Sequence, residues 1–216
     1  MEFNTKNSYV YATLKEEIIK GKLRPGERIV ISEVAKRYDV SPMPIREAIN
    51  RLQQDGFVEV ISHVGARVSS FDPHRQEELM LIRIELETLA VRLSTPFFDE
   101  EALARLDQLI SEMNVCVETR DHKRYGKLNV EFHNVLYSVG PYKILFDLIT
   151  TLWGRAEYSR GIFEDMPERN AESQNEHRQI VEAIKQKDGV KAAEILRRQK
   201  EVSTAMYIEY LREREM

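Results

Sequence analysis

At 216 residues the chain is longer than one domain usually is, so two domains of unequal length are expected, about 70 residues and then about 145. Hydrophobic residues at 42% and charged residues at 31% suit a globular protein and lie away from the disordered and membrane-embedded classes. No apolar run nears the roughly 20 residues of a membrane span, the polar start MEFNTKNSYVYATLKEE lacks the parts of a secretion signal, and the lone Cys116 forms no intrachain disulfide. The expected location is therefore cytoplasmic.

The net charge of −4 conceals an asymmetry: residues 1–70 carry eleven Lys/Arg against nine Asp/Glu, and the remainder twenty-one against twenty-seven. A mildly basic head on an acidic body suits a DNA-binding module joined to one that does not bind DNA. So small an excess cannot hold DNA by charge alone, and affinity would come from a few placed contacts, doubled in a dimer.

In chain order, Val10, Leu14, Ile18 and Ile19 share one face of a first helix over about 8–20, which Gly21 ends. Pro25-Gly26 makes a turn, and a short helix follows over about 32–38 with Ser32 as its cap. In SPMPIREAINRLQQDG, Ser41 stands at the N-cap of a third helix and Pro42 at its first position, where the missing N–H is harmless. Ile45, Ala48, Ile49 and Leu52 form its apolar stripe, while Met43, Arg46, Glu47, Asn50, Arg51 and Gln53 face outward with groups that reach base edges and phosphates. After Gly56 the pattern turns extended, 57–61 and then 66–69 around Ser62 and His63, as in a two-stranded hairpin. Three helices and a hairpin make a winged helix-turn-helix. The expected boundary separates 1–72 from 73–216.

From Pro73 onward apolar residues recur at three and four, giving six helices over about 75–94, 99–118, 121–138, 141–161, 169–187 and 189–212. The fold class is thus mainly α, a winged helix-turn-helix followed by an all-α antiparallel bundle able to enclose a ligand.

Residues 9–70 resemble the GntR family of bacterial regulators: GKLRPGERI, SPMPIREAINRLQQDG and GARV match its turn, core and wing end. Residues 75–212 resemble that family's FCD ligand-binding domain, through RIELE, NVEFH and EHRQIVEAI, and the helix count suggests its six-helix subgroup. The resemblance implies a homodimer on a palindromic DNA operator, with a small organic or sugar acid in the bundle altering DNA affinity. Pro42 stands where the family usually has an arginine, so base reading falls more heavily on Arg46. The resemblance also implies a divalent ion, zinc or nickel, held by Asn129, His133 and His177, with Gln199 at a fourth position; Asn129 and Gln199 replace an Asp and a His and weaken that set.

Blander readings stand beside each of these. Arg46, Asn50 and Arg51 could form a merely solvated face, and Lys36 and Arg37 could be surface charges rather than phosphate contacts. His63 either enters the minor groove or sits plainly at a hairpin tip. His133 and His177 could be buried and satisfied by neighbours, or could line a metal-free polar pocket. Arg83 and Glu87 are spaced for a helical ion pair, unless Arg83 turns inward to an effector carboxylate. Trp153 with Tyr158 suits core or dimer packing, and Cys116 a small core position. The rival functions are a metal-dependent bundle enzyme, against which no nucleophile–base set stands out, and a DNA-binding dimer that answers to no effector.

Overall fold

The structure is a computed structural model that describes residues 6–19, 21–61, 64–69, 73–155 and 167–215. It divides into two compact units, Met1–Asp72 and Pro73–Met216.

In the first unit, α1 (Lys6–Ile19) lays Val10, Leu14 and Ile18 against the buried stripe of α3 (Pro42–Gln54), with α2 (Ile31–Arg37) beside it. That stripe is Ile45, Ala48, Ile49 and Leu52, all buried. Gly56, at φ 81°, ends α3: its N–H bonds to Gln53 O and that of Phe57 to Leu52 O. A side chain larger than hydrogen is disfavoured in that left-handed conformation.

Of the two expected caps, one stands at its position without a side-chain bond and the other is displaced. Ser41 has the extended backbone of an N-cap, but its hydroxyl makes no cap bond. Pro44 at the third helical position has no N–H to offer, which removes one of the two amides such a hydroxyl can meet. The second helix opens at Ile31 with Val30 as its cap, so Ser32 lies inside it.

The hairpin pairs β2 (Val58–Ile61) with β3 (Gly65–Val68) in antiparallel register, Val58 opposite Val68 and Ile61 opposite Gly65. A third strand, β1 (Arg28–Ile29), adds to the other edge of β3, giving the order β1-β3-β2. Its two residues are too few to show period-two alternation, and it was not expected. The backbone of the Pro25-Gly26 turn aligns it, Gly26 N–H bonding to Val68 O and Val68 N–H to Glu27 O.

The second unit holds, among its described residues, six helices: α4 (Pro73–Ser94), α5 (Glu100–Thr119), α6 (His122–Ser138), α7 (Lys143–Arg155), α8 (Pro167–Lys185) and α9 (Gly189–Glu215). The expected helix over 141–161 is described only as far as Arg155, and Tyr158 lies outside the described residues. Asp99 caps α5 by accepting from Ala102 N–H, and Asp121 caps α6 by accepting from Arg124 N–H. The core joins all six helices through Val91, Leu109, Phe132, Ile149, Ile180 and Leu196. Cys116 sits within it, and burial pushes its thiol above the usual range. No helix among the described residues is long and apolar enough to cross a membrane.

Candidate functional site

Two places carry chemistry, and each lies within one unit. The first is the outer face of α3. Because its apolar stripe is buried against α1 and α2, the opposite side must face solvent: Met43 is 64% exposed, and Arg46, Asn50 and Arg51 are exposed with it. Arg46 on α3 and Lys36 on α2 are bound in no hydrogen bond or ion pair among the described residues. Their charges stand ready for a partner outside the unit.

The neighbouring arginines are engaged. Arg51 lies over the Tyr11 ring at 4.1 Å, and Tyr11 donates its hydroxyl hydrogen bond to Asp55. Arg37 donates to Glu17 at 2.8 Å and stacks on the Tyr38 ring at 5.0 Å. Both therefore help hold α1 against the helix-turn-helix, a role their spacing did not reveal. His63 lies outside the described residues. Two cations were missed: the register sets Arg28 and Arg67 side by side across β1 and β3, with Glu59 opposite Arg67 on β2. The arginines of GERI and GARV would have shown this once β1 was recognised.

The second place is the interior of the bundle, and Glu87 is its hub. Glu87 is fully buried on α4. Arg83 Nε, one turn earlier, donates to Oε1 at 3.0 Å, and Trp153 Nε1 on α7 donates to the same oxygen at 2.7 Å. Oε2 accepts from the Tyr137 hydroxyl on α6 at 2.7 Å and pairs with Lys200 Nζ on α9 at 2.9 Å. Burial by itself would raise this carboxyl's pKa, but the charges of Lys200 and Arg83, with hydrogen bonds from Lys200 and Trp153, hold it down at about 2. The Arg83–Glu87 pair is thus no ordinary surface bridge. Arg83, expected to meet an effector carboxylate, already has one from its own chain.

Beside this hub lie the two histidines. His133 and His177 approach edge to face with ring centroids 5.4 Å apart, and His133 Nδ1 is 3.1 Å from the Tyr137 hydroxyl. His177 Nε2 is 3.4 Å from Ser173 Oγ, which also accepts from Gln199 Nε2 at 3.1 Å. Both imidazoles are held neutral, first by burial and then by Lys200, His133 falling well below its ordinary pKa and His177 to about 3. His133, His177 and Gln199 are buried in the bundle, Asn129 is half-buried with its Oδ1 enclosed, and Gln174, one turn before His177 on α8, is a further buried polar side chain that sequence reasoning missed. A glutamine carries little sequence signal, since it is as common on a solvated face.

Several buried polar atoms of α6, α8 and α9 make no hydrogen bond within the protein: Asn129 Oδ1, Arg169 Nη1, both ends of the Gln174 amide, His177 Nδ1 and Gln199 Oε1. Each such buried atom costs roughly 1–3 kcal/mol unless something meets it.

The zinc or nickel ion expected on Asn129, His133 and His177 does not fit these residues. Among the described residues no three His, Cys, Asp or Glu side chains converge as a metal site would require. The donors present are neutral amides and imidazoles, which offer nothing to balance a dication, and the charge that both imidazoles feel most strongly is the positive one of Lys200. Glu87, linked to His133 through the Tyr137 hydroxyl, is already engaged by Lys200, Arg83, Trp153 and Tyr137.

Comparison with known proteins agrees across both units. The profile of bacterial regulatory proteins of the gntR family matches residues 6–68, and that of the FCD domain matches residues 78–199. The uncharacterized HTH-type transcriptional regulator YdhC of Bacillus subtilis is 31% identical over 179 residues, 82% of this chain and 80% of that protein. The HTH-type transcriptional repressor RspR of Escherichia coli is 22% identical over 183 residues, 85% of this chain and 80% of that protein. Among solved structures, E. coli McbR/YncC shares the fold with a TM-score of 0.77 at 24% identity, over 97% of this chain and 100% of that one.

Proposed function

This chain belongs to the gntR family of bacterial regulatory proteins and carries an FCD domain, and from that premise we propose that it is a cytoplasmic repressor whose homodimer binds a palindromic operator and is controlled by a small organic or sugar acid in the bundle. The families and relatives found are transcription regulators, which sets the enzyme reading aside. The observation that carries the DNA reading is the α3 face, where Arg46 stands exposed and unengaged opposite a fully buried stripe. An α-helix fits the major groove, and a guanidinium there can meet guanine O6 and N7 in a bidentate way. Met43 and Asn50 extend that face, Ser41 opens it, and Lys36, Arg28 and Arg67 add positive charge suited to flanking phosphates. That the related RspR of Escherichia coli is a transcriptional repressor supports repression as the sense of control.

The test is an electrophoretic mobility shift with DNA from upstream of the chain's own gene, repeated with candidate acids. A specific, salt-sensitive shift that an acid relieves is the expected result. No shift with that DNA overturns the operator reading. A shift that no ligand alters, with no ligand raising the melting temperature, favours the effector-independent dimer.

A further inference from the structure

Resting on the reading of α3 as the helix that enters the major groove, we infer that Met43 is a specificity-determining residue, reading the C5-methyl group of a thymine next to the base met by Arg46. The exposed side of α3 has two ridges, and they differ in what holds them. Glu47 accepts a hydrogen bond from the Asn7 side-chain amide, and Arg51 lies over the Tyr11 ring, so the ridge of Glu47 and Arg51 is turned toward α1. Met43, Arg46 and Asn50, three and then four positions apart, share the other ridge. All three are exposed, Met43 at 64%, and among the described residues no side-chain hydrogen bond or ion pair holds them.

Met43 differs in kind from its two neighbours on that ridge. It has no N–H or O–H and only a weakly accepting sulfur, so it answers none of the donors and acceptors on base edges. Its apolar surface is covered favourably only by an apolar partner. The one apolar group that base pairs present in the major groove is the thymine methyl, through which apolar side chains discriminate. The chain also fixes where Met43 stands. Pro42 and Pro44 flank it at the opening of α3, and their rings hold the backbone that carries it. Little backbone freedom is then lost when the side chain meets a base. Along the helix axis Met43 and Arg46 are about 4.5 Å apart, against about 3.4 Å between base pairs, so the methyl and the base met by Arg46 lie within about two steps of each other.

The test uses the full chain and a library of random DNA duplexes, from which bound sequences are selected. Each thymine of the selected half-site is then replaced by uracil, which removes the methyl and keeps every hydrogen-bonding group. One such replacement, within about two base pairs of the position whose base preference relaxes in Arg46→Ala, is expected to weaken binding about fourfold, the effect of one buried methyl. Met43→Ala is expected to bind the thymine and uracil duplexes alike and to melt at the wild-type temperature. Uracil sensitivity at no thymine would overturn the inference. So would sensitivity that survives unchanged in Met43→Ala, or a lowered melting temperature with that sensitivity intact, which is what a merely structural methionine would give. In each of these cases a selected sequence that depends on Arg46 keeps the reading of α3. Selection of no preferred sequence, or of one that Arg46→Ala leaves unchanged, removes that reading and the inference with it.

Discussion

Trp153 Nε1 donates a 2.7 Å hydrogen bond to Glu87 Oε1, joining α7 to α4 across 66 positions of sequence. An indole N–H and a carboxylate with no solvent access need each other, since either alone would be a buried group without a partner. The same carboxylate is the counter-ion of Arg83 and Lys200.

Replacing Glu87 by Gln leaves those two cations without their shared anion. The variant should lose about 3–5 kcal/mol of stability at pH 7, the usual consequence of breaking a buried pair by removing one member. Urea unfolding measures this, and a loss below 1 kcal/mol would show that the cations find other partners.

Glu87 also sets an acid limit. Its folded pKa is depressed, so its contribution is complete above the unfolded value near 4.5 and is lost as pH falls toward about 2. Over that window the wild type should lose roughly 3 kcal/mol through this one group. In Glu87→Gln, unfolding curves between pH 5 and pH 2.5 should show a correspondingly shallower decline; parallel curves for the two proteins would contradict it.

Arg46→Ala should weaken specific DNA binding by about 1–3 kcal/mol and leave the melting temperature unchanged, because the side chain is exposed and holds nothing within its own unit. Arg51→Ala should behave differently. Its guanidinium covers the Tyr11 ring, so its loss lowers stability by about 0.5–1 kcal/mol in addition to any effect on DNA. Titration of operator DNA alongside thermal melts separates the two arginines, and equal melting temperatures for both variants would deny Arg51 its structural part.

Gly189 opens α9 directly after Asp188, which caps the helix by accepting from Lys191 N–H, and its backbone does not lie in the left-handed region that would require glycine. Here a Cβ would lie 2.7 Å from the Arg92 carbonyl oxygen and 3.1 Å from Thr95 Cβ, both fixed by the end of α4. Gly189→Ala should therefore destabilise the bundle by about 1–3 kcal/mol, and an unchanged or raised melting temperature would mean that α9 can shift away.

Much of the architecture is legible in the residues. The buried stripe of α3, the end of that helix at Gly56, the hairpin and the order of the bundle helices all follow from apolar periodicity and from the few residues that tolerate or break a helix. Local rules place the cap at Ser41 but not the loss of its bond, since Pro44 offers no amide, and they misplace the cap at Ser32, because the second helix already begins at Ile31. The strand at Arg28–Ile29 was invisible because two residues carry no period, and only pairing with β3 makes them a strand.

The interior of the bundle divides along the same line. Resemblance to the FCD domain grouped His133 and His177 with Asn129 and Gln199, and the four-residue spacing put Asn129 and His133 on one helix face. It did not show that Glu87 is the buried hub, that Arg83 and Lys200 are consumed by it, or that Gln174 lies inward with both amide ends unpaired. What a chain determines by itself is which face of each helix is apolar, since that depends on spacing along one axis. Which charges neutralise one another, and which polar atoms are left over, depends on side chains from α4, α6, α7, α8 and α9 meeting at one point. That convergence exists only once the helices have packed.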